Sequence, residues 1–212
     1  MSRKKILLYQ GGRYHSIDKT YNNFQSILKE YIIDNYVTTD IFSKKEFFDY
    51  STMIFFSQEG EFTEDQEKNV LEFIASGKGF IGLHGASASF KKHPKYFEML
   101  GGRFIGHKDL QDFDVKIIDF KHPITNGLNN FSFKDEPYRH DFSMGENIHV
   151  LAKADYYDKE DPHLEPIVWI KNYRQGRVFF CSLGHRNISL KDEIFQIIIK
   201  RAVEWVIEGS KG

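Results

Sequence analysis

Apolar residues along this chain gather in short unbroken runs, and between them lie stretches with helical spacing. Lys5 to Gln10, Thr52 to Ser57 and Phe80 to Leu83 are apolar without alternation, as strands are when both faces of their sheet are covered. Asp18 to Tyr31 instead repeats Tyr21, Phe24, Ile27, Leu28 and Tyr31 at the spacing of one helix face. Tyr36 to Thr39 reads as a second strand and Ser43 to Asp49 as a short helix. Thr63-Glu64-Asp65-Gln66 forms a capping-box pattern, and its helix turns Val70, Leu71 and Ile74 inward before stopping at Gly77. Strands alternating with helices at this rhythm predict right-handed crossovers and a parallel sheet.

Beyond Phe90 the pattern changes. His93 to Leu100 predicts a short helix, and Phe113 to Phe120 alternates as a half-exposed strand does. Ile148 to Lys153, Pro166 to Lys171 and Arg177 to Leu183 read as three more strands. Tyr173-Arg174-Gln175-Gly176 joins the last two as a tight hairpin, which extends the sheet with an antiparallel pair. Ser189 to Ile207 closes the chain as a helix burying Ile194, Phe195, Ile198, Ala202, Val203 and Val206. No repeat, low-complexity segment or linker divides the chain, so residues 1–212 are expected to form one domain.

Composition narrows the class. A chain of 212 residues with 41% hydrophobic and 28% charged residues can fill one large core. Twenty Phe and eleven Tyr favour thick packing and an aromatic-walled pocket. The net charge of −1, with basic residues spread throughout, excludes a nucleic-acid footprint. The one cysteine, Cys181, lies in an apolar run that suits packing, and a single thiol excludes an internal disulfide and fits a reducing compartment. No stretch is long and apolar enough to serve as a signal-peptide core or a membrane span, so a cytoplasmic protein is expected.

Candidate chemistry centres on Gly79 to Phe90, where the apolar run ends abruptly in His84-Gly85. A strand that ends this way delivers its ionisable side chain to the carboxyl edge of the sheet, where open α/β sheets bind ligands. Gly77-Lys78-Gly79-Phe80-Ile81-Gly82 matches G-x-G-x-x-G. These glycines follow a helix and enter a strand, however, which inverts the dinucleotide fingerprint. Gly85-Ala86-Ser87-Ala88-Ser89 approaches a serine elbow but lacks the final glycine. His15, after the Gly11-Gly12 turn, and His185, after the last strand, share the strand-end position of His84. Neutral imidazoles at converging strand ends suit a general base or a metal ligand. Asp135-Glu136-Pro137-Tyr138-Arg139-His140-Asp141 is the densest polar cluster; one of its adjacent carboxylates can face a site while the other turns away. Arg103 and His107 add a guanidinium and another imidazole. A metal site drawn from His15, His84, His107, His185 and Asp135 or Glu136 would have to be tertiary, because no pair has the spacing of H-E-x-x-H.

An ordered set of short matches resembles the trehalose-utilisation, ThuA-like family from Ile6 to about Val206. The set comprises Gly82-Leu83-His84, Gly101 to His107, His122-Pro123-Ile124, Asp135-Glu136-Pro137-Tyr138, and Gly176-Arg177-Val178-Phe179 with Leu183-Gly184-His185. The resemblance implies a flavodoxin-like, class I glutamine amidotransferase-like α/β/α sandwich. At the elbow where amidotransferases carry a nucleophilic cysteine, this chain has His84, which argues against glutamine hydrolysis. The family is linked to trehalose and related disaccharides, including 3-keto derivatives, alongside oxidoreductase partners. The resulting expectation is a small-molecule sugar ligand processed by His84, His185, Asp135 and Glu136. Gly11, Gly12, His15, Arg103, His107 and Tyr138 would surround it, with aromatic faces from Tyr14, Phe104 and Tyr138. No cofactor is required by this reading. A bound divalent metal and a homodimer stay open, and the alternative is a non-catalytic sugar-binding module that partners an oxidoreductase.

Overall fold

The unbroken apolar runs become strands because each contributes to two cores at once. In β1 (Lys5–Gly11), Ile6 and Leu8 face one side of the sheet while Leu7 and Tyr9 face the other. The same division holds in β3 (Thr52–Ser57), with Ile54 and Phe56 opposed to Met53 and Phe55. The computed structural model describes residues 3–13, 15–156 and 163–209.

Between these strands lie α1 (Ile17–Ile27), the edge strand β2 (Ile32–Tyr36), α2 (Glu64–Ala75) and β4 (Gly79–Leu83). The capping box forms as expected: Thr63 Oγ1 accepts the Gln66 N–H at 3.2 Å, and Gln66 Oε1 accepts the Thr63 N–H at 3.0 Å. The second half contributes α3 (Pro94–Leu100), β5 (Arg103–His107), β6 (Gln111–Ile117), β7 (Phe131–Asp135) and β8 (Tyr138–Asp141). It continues through β9 (His149–Tyr156), β10 (His163–Tyr173), β11 (Gly176–Cys181) and α4 (Glu193–Glu208).

The main sheet has nine strands in the order β2-β1-β3-β4-β11-β10-β9-β6-β7. From β2 to β11 neighbouring strands run parallel, and from β11 to β7 they run antiparallel. Helices α1 and α4 cover one face and α2 and α3 the other, which gives three layers and a flavodoxin-like α/β fold. A separate ribbon of β5 and β8 stands at the carboxyl end of β4. Among the described residues, no helix is long and apolar enough to cross a membrane.

Several boundaries differ from the sequence expectation. Helix α1 ends at Ile27 rather than Tyr31, and the second strand is Ile32–Tyr36 rather than Tyr36–Thr39. Among the described residues this strand pairs only with β1, in register from Lys5↔Ile32 to Tyr9↔Tyr36, and carries polar Asp34 and Asn35. Those side chains accept hydrogen bonds from Tyr50 Oη at 2.8 Å and Gln10 Nε2 at 2.7 Å, so the strand is specified by polar contacts that hydropathy does not register. The helix expected at Ser43–Asp49 is two 3-10 turns, Thr39–Ser43 and Lys45–Asp49. The antiparallel part comprises five strands rather than one C-terminal pair, since β9, β6 and β7 continue outward from the β10–β11 pair.

Candidate functional site

Strand β4 ends at Leu83, and the next residue, His84, has φ 45°, in the left-handed region that non-glycine residues seldom occupy. Strain of this kind persists only where surrounding structure over-determines it. Gly85 makes the turn possible, because a Cβ there would lie 2.6 Å from the Ser57 carbonyl oxygen and 2.2 Å from Gln58 Cγ. A 3-10 turn, His84–Ala88, follows, and Ser89 Oγ donates to the Ser57 and Gly85 carbonyls at 2.8 and 3.1 Å. The elbow is therefore stitched to the end of β3.

The His84 ring is fully buried, and its Nδ1–H donates to the Ser182 carbonyl at 2.9 Å. A carbonyl only accepts, so this bond fixes the proton on Nδ1 and leaves the Nε2 lone pair facing the crevice. Tyr138 Oη donates to that lone pair at 2.8 Å, and His185 Nδ1 lies 3.0 Å from it. His185 arrives on the loop after β11. The Asp135 carboxylate holds that loop: its Oδ2 accepts the N–H groups of Gly184 at 2.7 Å and His185 at 3.2 Å. Its Oδ1 accepts the Glu136 N–H at 2.9 Å, so buried Asp135 orients the two residues that flank the crevice. Glu136 turns the opposite way and places Oε2 3.3 Å from His185 Nδ1 and 4.0 Å from both His84 Nε2 and His107 Nδ1. His15 completes the group, its ring centroid 5.5 Å from that of His84 and 5.3 Å from that of His185. The Gln58 amide lies 2.5 Å from His15 Nε2.

Burial sets the charge states. It drives the His84 pKa well below the ordinary imidazole value, and repulsion from His15, His185 and His107 works in the same direction against the Ser182 bond. His15 falls to about 4 for the same first reason, with repulsion from His185 second. Both rings are neutral near pH 7, so the 4.0 Å approach of Glu136 to His84 is a contact with a neutral ring rather than an ion pair. Burial also raises the Asp135 carboxyl, against its three backbone hydrogen bonds, and raises the Tyr138 phenol.

The remaining candidates lie further out. His107 stands at the end of β5, with Nδ1–H donating to the Lys108 carbonyl at 3.0 Å and its ring 5.9 Å from Tyr138. Phe104 packs 4.5 Å from the Tyr138 ring. Arg103 pairs with Asp141 at 3.1 Å and lines a neighbouring cavity of about 330 Å³ with Ser87, Lys91 and Phe104. Gly11 and Gly12 form the turn beside Gln58: the Gly11 carbonyl accepts the Gln58 N–H at 3.3 Å, and Gly12 has φ 97°. Tyr14 lies outside the described residues.

Two features escaped the sequence reading. Gln58 follows the end of β3, so the strand-end rule that selected the histidines also applies to it. The second is a buried row behind the elbow. Ser87 Oγ lies 3.3 Å from His140 Nε2, and His140 Nδ1 lies 3.5 Å from Glu165 Oε1, which also accepts the His140 N–H at 2.8 Å. Burial lowers the His140 pKa more than Glu165 raises it.

The nine-stranded sheet with helices on both faces is a flavodoxin-like α/β fold, and its β4 elbow faces His185 on the loop after β11. The sequence profile of the trehalose-utilisation (ThuA) family matches residues 5–206, and the chain belongs to that family. A protein described as ThuA-like from Parabacteroides merdae superposes with TM-score 0.86 at 22% identity, covering 98% of this chain and 91% of the other. A second ThuA-like protein, from Bacteroides uniformis, gives TM-score 0.79 at 20% identity over 96% of this chain and 91% of its own. A protein described as a GMP synthase subunit from Thermoplasma acidophilum shares the fold at TM-score 0.57 and 12% identity, over 97% and 96% of the two chains. No curated protein matches the sequence.

Proposed function

We propose that this protein processes a disaccharide or a 3-keto-sugar derivative by proton transfer between histidine and carboxylate groups, without glutaminase activity. The observation that carries the reading is the meeting of His84, His185, Glu136 and Tyr138 around one buried lone pair, His84 Nε2. A ketone at C3 acidifies the C–H at C2, and Glu136 with His185 supplies a proton acceptor beside the crevice. Removing that proton gives an enolate. Its collapse with departure of the C1 oxygen is elimination, and its reprotonation on another face or carbon is isomerisation. Tyr138 Oη, 2.8 Å from His84 Nε2, is the hydroxyl donor that this step would turn to the developing enolate oxygen. The thioester route lacks its nucleophile: Cys181 lies within β11, fully buried, with its thiol pushed up to about 12 by burial.

The test is incubation with 3-keto-disaccharides in D2O, followed by NMR. Deuterium entering C2, or an enone appearing, is expected from the wild type. His84→Ala should lose both while its circular dichroism and melting profile stay native. A fully active His84→Ala variant would overturn the catalytic assignment. Sugar-dependent thermal stabilisation with neither exchange nor turnover would favour the accessory binding module instead.

A further inference from the structure

The three strand-end histidines do something that acid–base chemistry does not require. One ligand nitrogen from each of His15, His84 and His185 lies within 4.8 Å of the other two. They come from three separate segments: the loop after β1, the elbow after β4 and the loop after β11. A tetrahedral zinc-type ion with Zn–N bonds of about 2.0–2.1 Å holds its ligand atoms about 3.3 Å apart. The 3.0 Å between His84 Nε2 and His185 Nδ1 is close to that separation, and the His15 nitrogen, within 4.8 Å of both, must close in by up to about 1.5 Å.

We propose that His15, His84 and His185 form a three-histidine site for a divalent transition-metal ion, with the fourth position open toward Glu136 and the substrate. Two further observations support it. The Nδ1–H bond from His84 to the Ser182 carbonyl is the outer contact that orients a metal-bound histidine, and it aims Nε2 inward, where the ion would take the place of the Tyr138 hydroxyl hydrogen. Glu136 Oε2, 4.0 Å from His84 Nε2 and 3.3 Å from His185 Nδ1, is placed to ligate the ion or to take a proton beside it. A set of imidazoles with one carboxylate suits zinc, cobalt or nickel, whereas magnesium and calcium call for all-oxygen cages. The ion's part in turnover, polarising the sugar ketone while Glu136 moves the proton, rests on the sugar reading above; the binding of the ion does not.

The test therefore reads the ion first. The full chain is stripped with chelator and titrated with Zn²⁺ and with Co²⁺, following thermal shift, elemental stoichiometry and the cobalt visible spectrum. One ion per chain is expected, with a raised melting temperature and the intense visible bands of a four-coordinate cobalt site. His15→Ala, His84→Gln and His185→Ala should each weaken affinity at least about 10-fold. Exposed His149→Ala should bind as the wild type does. Chelated variants must melt as the chelated wild type does, which separates a lost ligand from a lost fold. Absence of a stoichiometric ion, or equal affinity in the three variants and the wild type, would overturn the site. A protein that binds the ion yet leaves keto-sugars untouched would sink the sugar reading alone, and full turnover in chelator would remove the ion from catalysis.

Discussion

At the scale of single residues, the crevice depends on a division of labour between two adjacent carboxylates. Asp135 is buried and saturated by the N–H groups of Gly184, His185 and Glu136, whereas Glu136 points its oxygens at the imidazoles. Asp135→Asn can keep an acceptor toward only one side of this arrangement, because its amide nitrogen donates where an oxygen accepted. The variant is expected to lose about 1–3 kcal/mol of stability, measured by urea unfolding. Its effect on activity should exceed its effect on folding, since both His185 and Glu136 shift with the loop. The strand-end histidines were legible in the sequence because each follows an apolar run and a break in periodicity. Which member of Asp135-Glu136 turns inward was not, since the answer depends on where the Gly184-His185 loop arrives from the far side of the sheet. His140 stood out only as part of the polar cluster, and its pairing with Glu165 was invisible for a related reason: it joins β8 to β10 across a gap that no local pattern spans.

At the scale of elements, the central strands were legible wherever both faces are apolar, and the edges were not. The alternation of β8 buries Tyr138 and His140 and leaves Arg139 and Asp141 partly exposed, so its inward face is made of ionisable residues. A hydropathy pattern cannot report a strand whose buried positions are chosen for chemistry. The elbow shows the opposite case, in which an apolar run broken at His84-Gly85 revealed the element and structure explains the need. Gly85→Ala would press a methyl against the carbonyl of Ser57, which is fixed in β3 and cannot yield. Overpacking of this kind costs about 1–3 kcal/mol, occasionally more. It should appear as a lowered urea midpoint with an unchanged slope, together with lost turnover, because His84 must move with the chain. Thr63→Ala makes a useful contrast. It removes the capping box of α2 far from the crevice and should cost about 1 kcal/mol in the same unfolding assay while turnover at saturating substrate stays unchanged.

At the scale of the whole molecule, neutral imidazole in the interior makes stability depend on pH. His140 shows this most directly, because it lies apart from the crevice histidines and its ring is enclosed by Trp169 at 5.0 Å, Phe180 at 5.5 Å and Phe142 at 5.9 Å. The polar groups facing it are Ser87 Oγ and Glu165, with the Tyr138 ring 6.1 Å away. Burial lowers its pKa and the Glu165 charge only partly offsets that, so the folded ring protonates at lower pH than the unfolded one. The sign follows: below the ordinary histidine pKa of about 6.5 the unfolded chain binds the proton first, and stability falls as pH falls until the folded pKa is reached. In chelator, so that no ion competes for imidazole, the melting temperature should change little between pH 8 and 7 and decline below about 6.5. His140→Gln cannot take up that proton. It should start less stable at pH 8, having lost the fit among Trp169 and Phe180, and then lose less than the wild type between pH 7 and 5.5. Acid limbs of equal steepness in the two proteins would show that His140 is not a source of the dependence.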